Sequence, residues 1–310
     1  MKKILRILKT ILIVIVFQGK RKFKNFNKDV EIYIMTCHRD TIKLIVALYS
    51  IYEYFGKSIQ IIINHDQTLT QIDILLIKSL FKNIKILSNK DFNRIKKQLS
   101  QFHYCNDFYK SWMGKKFLNP LLLTKKKKVI LLDSDIYFIK KPKKIINFIN
   151  KSYKKSLYTE DLPGWFLLSR LEFKYIFGLK TVDKLNSSLL CLNSKYIPTL
   201  KQINKAIHLI YRLKRERFMD YSFLLEQTLF IYLYSRIPKK EKEILYLRHY
   251  FNLAVINKYN ILNATSIHFS TPSKHLWWKY IWLTRIGLFK YNKNIFQRFT
   301  NLYNEKKGCL

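Results

Sequence analysis

Acidic side chains are scarce in this 310-residue chain. Asp and Glu number 20 against 58 Lys and Arg, giving a formal charge of +38. That imbalance makes polyanions natural partners, whether nucleic acid, anionic lipid or nucleotide phosphates. Part of the lysine excess has a plainer source, because Lys, Ile and Asn are abundant together, as an AT-rich coding sequence would make them. Glycine is also sparse, at 7 residues. No GxGxxG and no GxxxxGK occurs, which excludes a Rossmann dinucleotide loop and a P-loop. The cysteines Cys37, Cys105, Cys191 and Cys309 have no CxxC spacing, so neither a structural zinc site nor a disulfide framework is expected. They read as reduced thiols in a cytosolic setting. Long apolar runs are missing too. Thr10 to Phe17 is unbroken, but a bilayer span needs about 20 residues.

What is present begins with a basic leader. Residues 1–28 hold nine Lys or Arg and no acid, and fit best a membrane-surface helix in which apolar side chains dip into lipid while cations meet anionic headgroups, with a signal anchor or a plain tail or core segment as the alternatives. From Glu31 the pattern alternates. Strands are expected at Glu31–Met35, Ile59–Asn64 and Ile84–Leu87, with helices at Thr41–Tyr54 and Leu69–Phe81 between them. Such alternation predicts a parallel sheet with helices on its faces, and ligands then bind beyond the carboxyl ends of the strands. Asp91–Leu121 reads as helical, and Lys125–Lys128 as a solvated approach to the next strand. Asn186–Asn193 reads as a polar turn entering a buried strand. Pro198–Leu213 is expected as a helix with the proline in its first turn, and Ser222–Tyr234 as another. Ile244–Leu247 and Ser266–Phe269 read as short strands. No internal repeat or long linker appears, so one catalytic domain over 29–274 is expected, followed by an aromatic, basic helical tail over 275–310.

The chemistry concentrates in Val129-Ile130-Leu131-Leu132-Asp133-Ser134-Asp135-Ile136-Tyr137-Phe138. Four apolar residues run into two carboxylates one residue apart, and an apolar run resumes. The first run reads as a strand buried on both faces, so Asp133 and Asp135 stand where it leaves the core. At i and i+2 of an extended chain they point the same way. A hard divalent cation, Mg²⁺ or Mn²⁺, relieves their repulsion and leaves room in its shell for phosphate. Thr36 to Asp40 falls at a neighbouring strand end and is expected to share the same cleft.

Leu131-Leu132-Asp133-Ser134-Asp135 resembles the DxD signature of glycosyltransferases with the GT-A fold. Three further segments, in order, are similar to the family that includes bacterial lipopolysaccharide galactosyl- and glucosyltransferases and glycogenin. Asn186-Ser187-Ser188 resembles its Asn-Ala-Gly segment, and Glu226-Gln227 its Asp-Gln pair. His268-Phe269-Ser270-Thr271-Pro272-Ser273-Lys274 with Trp277 resembles its His-Phe-x-Gly-x-x-Lys-Pro-Trp motif. Ser188 and Thr271 stand where the family has glycine, His275 where it has proline, and Glu226 where it has aspartate. The resemblance implies an α/β chain of GT-A fold, a mixed, mostly parallel central sheet with helices on both faces. It implies a metal-dependent, retaining hexosyltransferase that moves a sugar from a nucleotide-sugar such as a UDP-hexose to a glycan or lipid-linked acceptor.

Asp133, Asp135 and His268 would then hold Mn²⁺ or Mg²⁺, the imidazole favouring Mn²⁺. Lys274 would place its charge on the leaving diphosphate. Gln227 and Glu226 would bind the donor sugar or lie under the reacting carbon, and Asn186 would hydrogen-bond the sugar or cap a turn. Thr36, Arg39, Asp40 and Ser134 would line the nucleotide site. With retention the leaving phosphate can take the acceptor proton; with inversion Glu226 or Asp161 would be the base. The rival is a nucleic-acid-binding protein or metal-dependent nuclease exploiting the charge, but no recognition module is visible and one DxD is thin for a two-metal nuclease. No specific nucleic acid partner is therefore expected. A cytoplasmic enzyme, peripheral at the inner face of a membrane, is the expected setting.

Overall fold

The computed structural model describes residues 29–269, apart from 57–58, 82, 151–152, 162–166, 183, 215–221 and 253–263. The expected leader, the tail from 275 and Lys274 lie outside the described residues. In chain order the elements begin β1 (Val30–Thr36), α1 (Thr41–Phe55), β2 (Gln60–His65), α2 (Gln71–Leu80) and β3 (Ile84–Ile86). Next come α3 (Asn89–Leu99), α4 (His103–Tyr109), α5 (Trp112–Leu123), β4 (Lys128–Asp133), β5 (Ile136–Phe138) and α6 (Lys143–Ile149). The remainder is β6 (Ser156–Glu160), α7 (Arg170–Phe177), β7 (Leu185–Asn193), α8 (Leu200–Leu213), α9 (Ser222–Ser235), β8 (Lys242–Leu245), β9 (Tyr250–Asn252) and β10 (Ser266–His268).

The main sheet runs in the order β3-β2-β1-β4-β7-β6-β8. β3, β2, β1 and β4 are parallel, β7 is antiparallel to both β4 and β6, and β8 is parallel to β6. Among the described residues of this sheet only β7 runs against the rest, so this is the mixed, mostly parallel sheet the resemblance implies. Alternation sorts the strands onto two cores. Ile32, Ile34, Ile61, Ile63, Ile130 and Leu132 pack on one face against α1, α2 and α6. Tyr33, Ile62, Val129 and Leu131 pack on the other against α3, α4, α5, α8 and α9. A small second sheet, β5-β10-β9, leaves the main one just beyond Asp135.

Several local expectations need correcting. The stretch Asp91–Leu121 is three helices rather than one. Ser88 caps the first and Ser111 the third, each accepting from the backbone N–H three residues on. Gly114 lets α5 start hard against the end of α4, since a Cβ there would fall 2.0 Å from the Phe108 carbonyl oxygen. Pro198 precedes α8, whose cap is Thr199. Lys128 is not a solvated approach residue. It is buried, and its Nζ donates to the carbonyls of Phe148 (2.6 Å), Asn150 (2.9 Å) and Tyr153 (3.0 Å), gathering the orphan acceptors at the end of α6. Burial pushes its pKa down. β6, α7 and β9 were not foreseen: each is short, and β6 is defined by its pairing with β7 and β8 rather than by a pattern of its own.

Candidate active site

The site forms where the topology converges. β1 and β4 are adjacent and parallel, so their carboxyl ends place Thr36 and Asp133 side by side, and Ser134 N donates to the Met35 carbonyl. β7 runs the other way, so it brings its amino end, Leu185 to Ser188, to this same edge. The expected polar turn at Asn186 is therefore part of a buried strand. Its pairing with β6 skips from Tyr158–Leu190 to Thr159–Asn186, a bulge that Thr159 Oγ1 staples by donating to the carbonyls of Asn186 (3.1 Å) and Leu189 (3.0 Å). Three polar residues are tolerated there because their groups find partners.

His268 reaches the DxD segment through the second sheet. β10 pairs antiparallel with β5, His268 opposite Ile136, and Phe269 N donates to the Asp135 carbonyl. The imidazole Nε2 lies 3.3 Å from Asp135 Oδ1 and 3.9 Å from Asp133 Oδ2. One ligand atom from each of Asp133, Asp135 and His268 falls within 4.8 Å of the others. Two carboxylates and one imidazole nitrogen converging in this way form a donor set that suits Mn²⁺ or Mg²⁺. Burial raises the Asp133 pKa, with the Asp135 charge adding to the rise against Lys116. Burial alone would lower that of His268, but the charges of Asp135 and Asp133 carry it upward.

The residues sort onto two sides of this trio. A cavity of about 280 Å³ is lined by Thr36, Cys37, Arg39, Asp40 and Asp66 together with Asp133, Ser134, Asp135 and His268. Trp112, 49% exposed at the start of α5, lines it too. Asp40 is held by Lys43 at 2.7 Å. Asn186, Glu226 and Gln227 do not line this cavity; they form a hydrogen-bonded layer beside it. Ser187 Oγ donates to Glu226 Oε2 at 2.8 Å, and Asn186 Nδ2 and Gln227 Nε2 converge on Asp161 Oδ2 at 2.9 and 3.4 Å.

Lys116 joins the two sides, and the sequence reading missed it. Its ammonium lies 2.8 Å from Asp133 Oδ1, 3.2 Å from Glu226 Oε1 and 3.4 Å from Ser187 Oγ, with the side chain only 6% exposed. Burial alone would lower its pKa, yet the charges of Asp133 and Glu226 raise it, so it stays an ammonium ion. Glu226 is pushed up to about 7, chiefly by burial. The signal was faint: two lysines inside the mostly apolar Trp112–Leu123 helix, one of many lysine pairs in this chain. Trp112 was missed for a similar reason, as one of 43 Tyr and Phe residues and 5 Trp that composition alone does not sort.

No protein-family model matches the chain, and no curated protein does. Solved structures similar to it include mouse xyloside xylosyltransferase 1 in its apo form (12% identity, 79% of this chain and 98% of that one, TM-score 0.49). Core-mannan synthase A (Ktr4) from Aspergillus fumigatus, in a Mn/GDP form, is similar at 8% identity over 74% of this chain and 79% of that one, TM-score 0.49. The galactosyltransferase LgtC, in complex with donor and acceptor sugar analogs, is similar at 13% identity over 78% and 87%, TM-score 0.41.

Proposed function

We propose that this chain is a metal-dependent glycosyltransferase that uses a nucleotide-diphosphate sugar. The observation that carries the reading is the convergence of Asp133, Asp135 and His268 at the carboxyl end of β4, on one wall of an open cavity that Thr36, Arg39, Asp40 and Trp112 also line. These three residues would hold the Mn²⁺ or Mg²⁺ ion. When bound, the ion would supply positive charge against the charge that builds on a departing diphosphate. Thr36, Arg39, Asp40 and Ser134 fit the nucleotide, and the flat face of Trp112 offers a base or ribose an apolar wall. Lys116 fixes the carboxylate of Asp133 and keeps Glu226 charged or hydrogen-bonded beside it. Glu226, 1% exposed, acts in this reading through Lys116 and Ser187 as a positioning residue. Gln227 and Asn186, tied through Asp161, face the sugar. Lys274 is proposed from the sequence resemblance to meet the diphosphate. Retention, a hexose donor and a glycan or lipid-linked acceptor belong to the same proposal, as do residues 1–28 and 275–310 as basic segments flanking a catalytic domain at the inner face of a membrane.

The test is a screen of nucleotide-sugars for Mn²⁺-dependent binding and hydrolysis. Asp135→Asn and Asp133→Asn should each lower metal-dependent turnover by about a hundredfold or more. Near wild-type turnover in both variants, or no binding of any nucleoside diphosphate with Mn²⁺, would sink the reading.

A further inference from the structure

The two most exposed large apolar side chains among the described residues are neighbours. Leu171 is 80% exposed and Tyr175 86% exposed, four residues apart on α7 and therefore on one face of it. The opposite face of this helix is packed: Phe173 is buried and packs on Phe177, which in turn packs on Tyr232 of α9. So α7 is a seated helix with a second, outward apolar stripe, not a helix that has failed to pack. The end of α8 is tied to this helix. Lys214 Nζ bonds Glu172 Oε1 at 2.6 Å, which ties the end of α8, where the half-exposed Leu213 lies, to the first turn of α7.

The chemistry around the stripe is cationic. Arg170 and Lys174 flank Leu171 and Tyr175 on the exposed side, and exposed Arg212 stands next to Leu213. Glu172, the acid of this helix, is held by Lys214 and by the cap at Ser169. A leucine and a tyrosine on one helix face, flanked by arginine and lysine, match a lipid interface: the apolar tip enters the acyl boundary, the phenol sits at headgroup level, and the cations meet anionic headgroups. Nucleic acid would want stacking rings and cations without the exposed leucines. We propose that the outer face of α7, with the end of α8, docks on an anionic lipid surface. The position suits the site, because Leu167 N, just before α7, donates to Thr228 Oγ1, the neighbour of Gln227. The start of α7 is thus tied to α9, the helix that carries Glu226 and Gln227, and the acceptor would be lipid-linked if the glycosyltransferase reading holds.

The test uses the full chain and vesicles of phosphatidylcholine alone or with phosphatidylglycerol, read by co-sedimentation. Wild type should partition onto the anionic vesicles. Leu171→Glu/Tyr175→Glu should lower that partition by about tenfold or more, with an unchanged thermal midpoint. Ile72→Glu/Leu75→Glu, which alters the exposed pair on α2 on the opposite face of the sheet, should leave it intact. The proposal is overturned if the α7 variant binds like wild type, or if both variants lose binding equally. It also falls if the α7 variant melts lower, since a segment of the chain itself then covers the stripe. Loss of binding to a single-stranded RNA oligonucleotide with vesicle binding retained overturns it as well. None of these readouts uses turnover, so failure of the docking and failure of the enzymatic reading are separate results.

Discussion

Lys116 shows how much of this site rests on one charge. A lysine with a 6% exposed side chain is costly unless paired, and here it is paired twice, with Asp133 and with Glu226. Removing it leaves the buried Glu226 and the part-buried Asp133 without the cation they share. Lys116→Met should therefore destabilise the fold by about 3–5 kcal/mol, measured by denaturant unfolding. Double replacement with Glu226→Gln should recover part of that loss, because one of the stranded charges is then gone. A cost under about 1 kcal/mol for Lys116→Met would mean that the pairing is not what holds Asp133 in place. The visible half of this site was the acidic half. Asp133 and Asp135 stand out because carboxylates are rare in this chain, whereas Lys116 is hidden because lysine is common.

At the scale of elements, the helices begin by a shared device. In α2, α3 and α7 a Thr or Ser hydroxyl accepts from the N3 backbone N–H, while an N3 carboxylate reaches back to the cap: Thr70 with Asp73, Ser88 with Asp91, Ser169 with Glu172. All three carboxyls are held low. Burial works against Asp73 and Asp91, but His38 and Thr70 win at the first, and Ser88 with Lys85 at the second. Lys214, then Ser169, lowers Glu172. The sign follows directly. A depressed folded-state pKa gives stability that is complete above the unfolded value of about 4 and lost as pH falls through the folded values. The contribution of these three caps should thus be constant through mildly acidic pH and be lost below about pH 4. Ser88→Ala should cost about 1 kcal/mol at neutral pH, with a shallower acid limb. An acid limb identical to wild type would refute the coupling of the cap to Asp91. These starts were readable in outline because helical spacing followed polar residues. The two breaks inside 91–121 were not, since caps inside a continuous amphipathic stretch look like ordinary surface positions.

For the molecule as a whole, a charge of +38 means self-repulsion in the folded state. Screening shortens the reach of that repulsion from about 30 Å at 0.01 M salt to about 8 Å at 0.15 M. The thermal midpoint should therefore rise as salt is added over that range; a fall would show that surface ion pairs, not net charge, dominate. No helix among the described residues is long and apolar enough to cross a membrane. The sequence by itself determined the α/β alternation, the buried strand that carries Asp133 to the core edge, and the carboxylate pair beyond it. Each of these is a local property of apolar periodicity and residue type. Only the tertiary structure decided that β7 runs backwards, so that Asn186 to Ser188 arrive as a stapled bulge instead of a turn. It also decided that Lys116 lies between Asp133 and Glu226, and that Leu171 and Tyr175 face outward. Strand direction and cross-chain pairing depend on which surfaces bury each other, and that is settled between segments far apart in the chain rather than within any one of them.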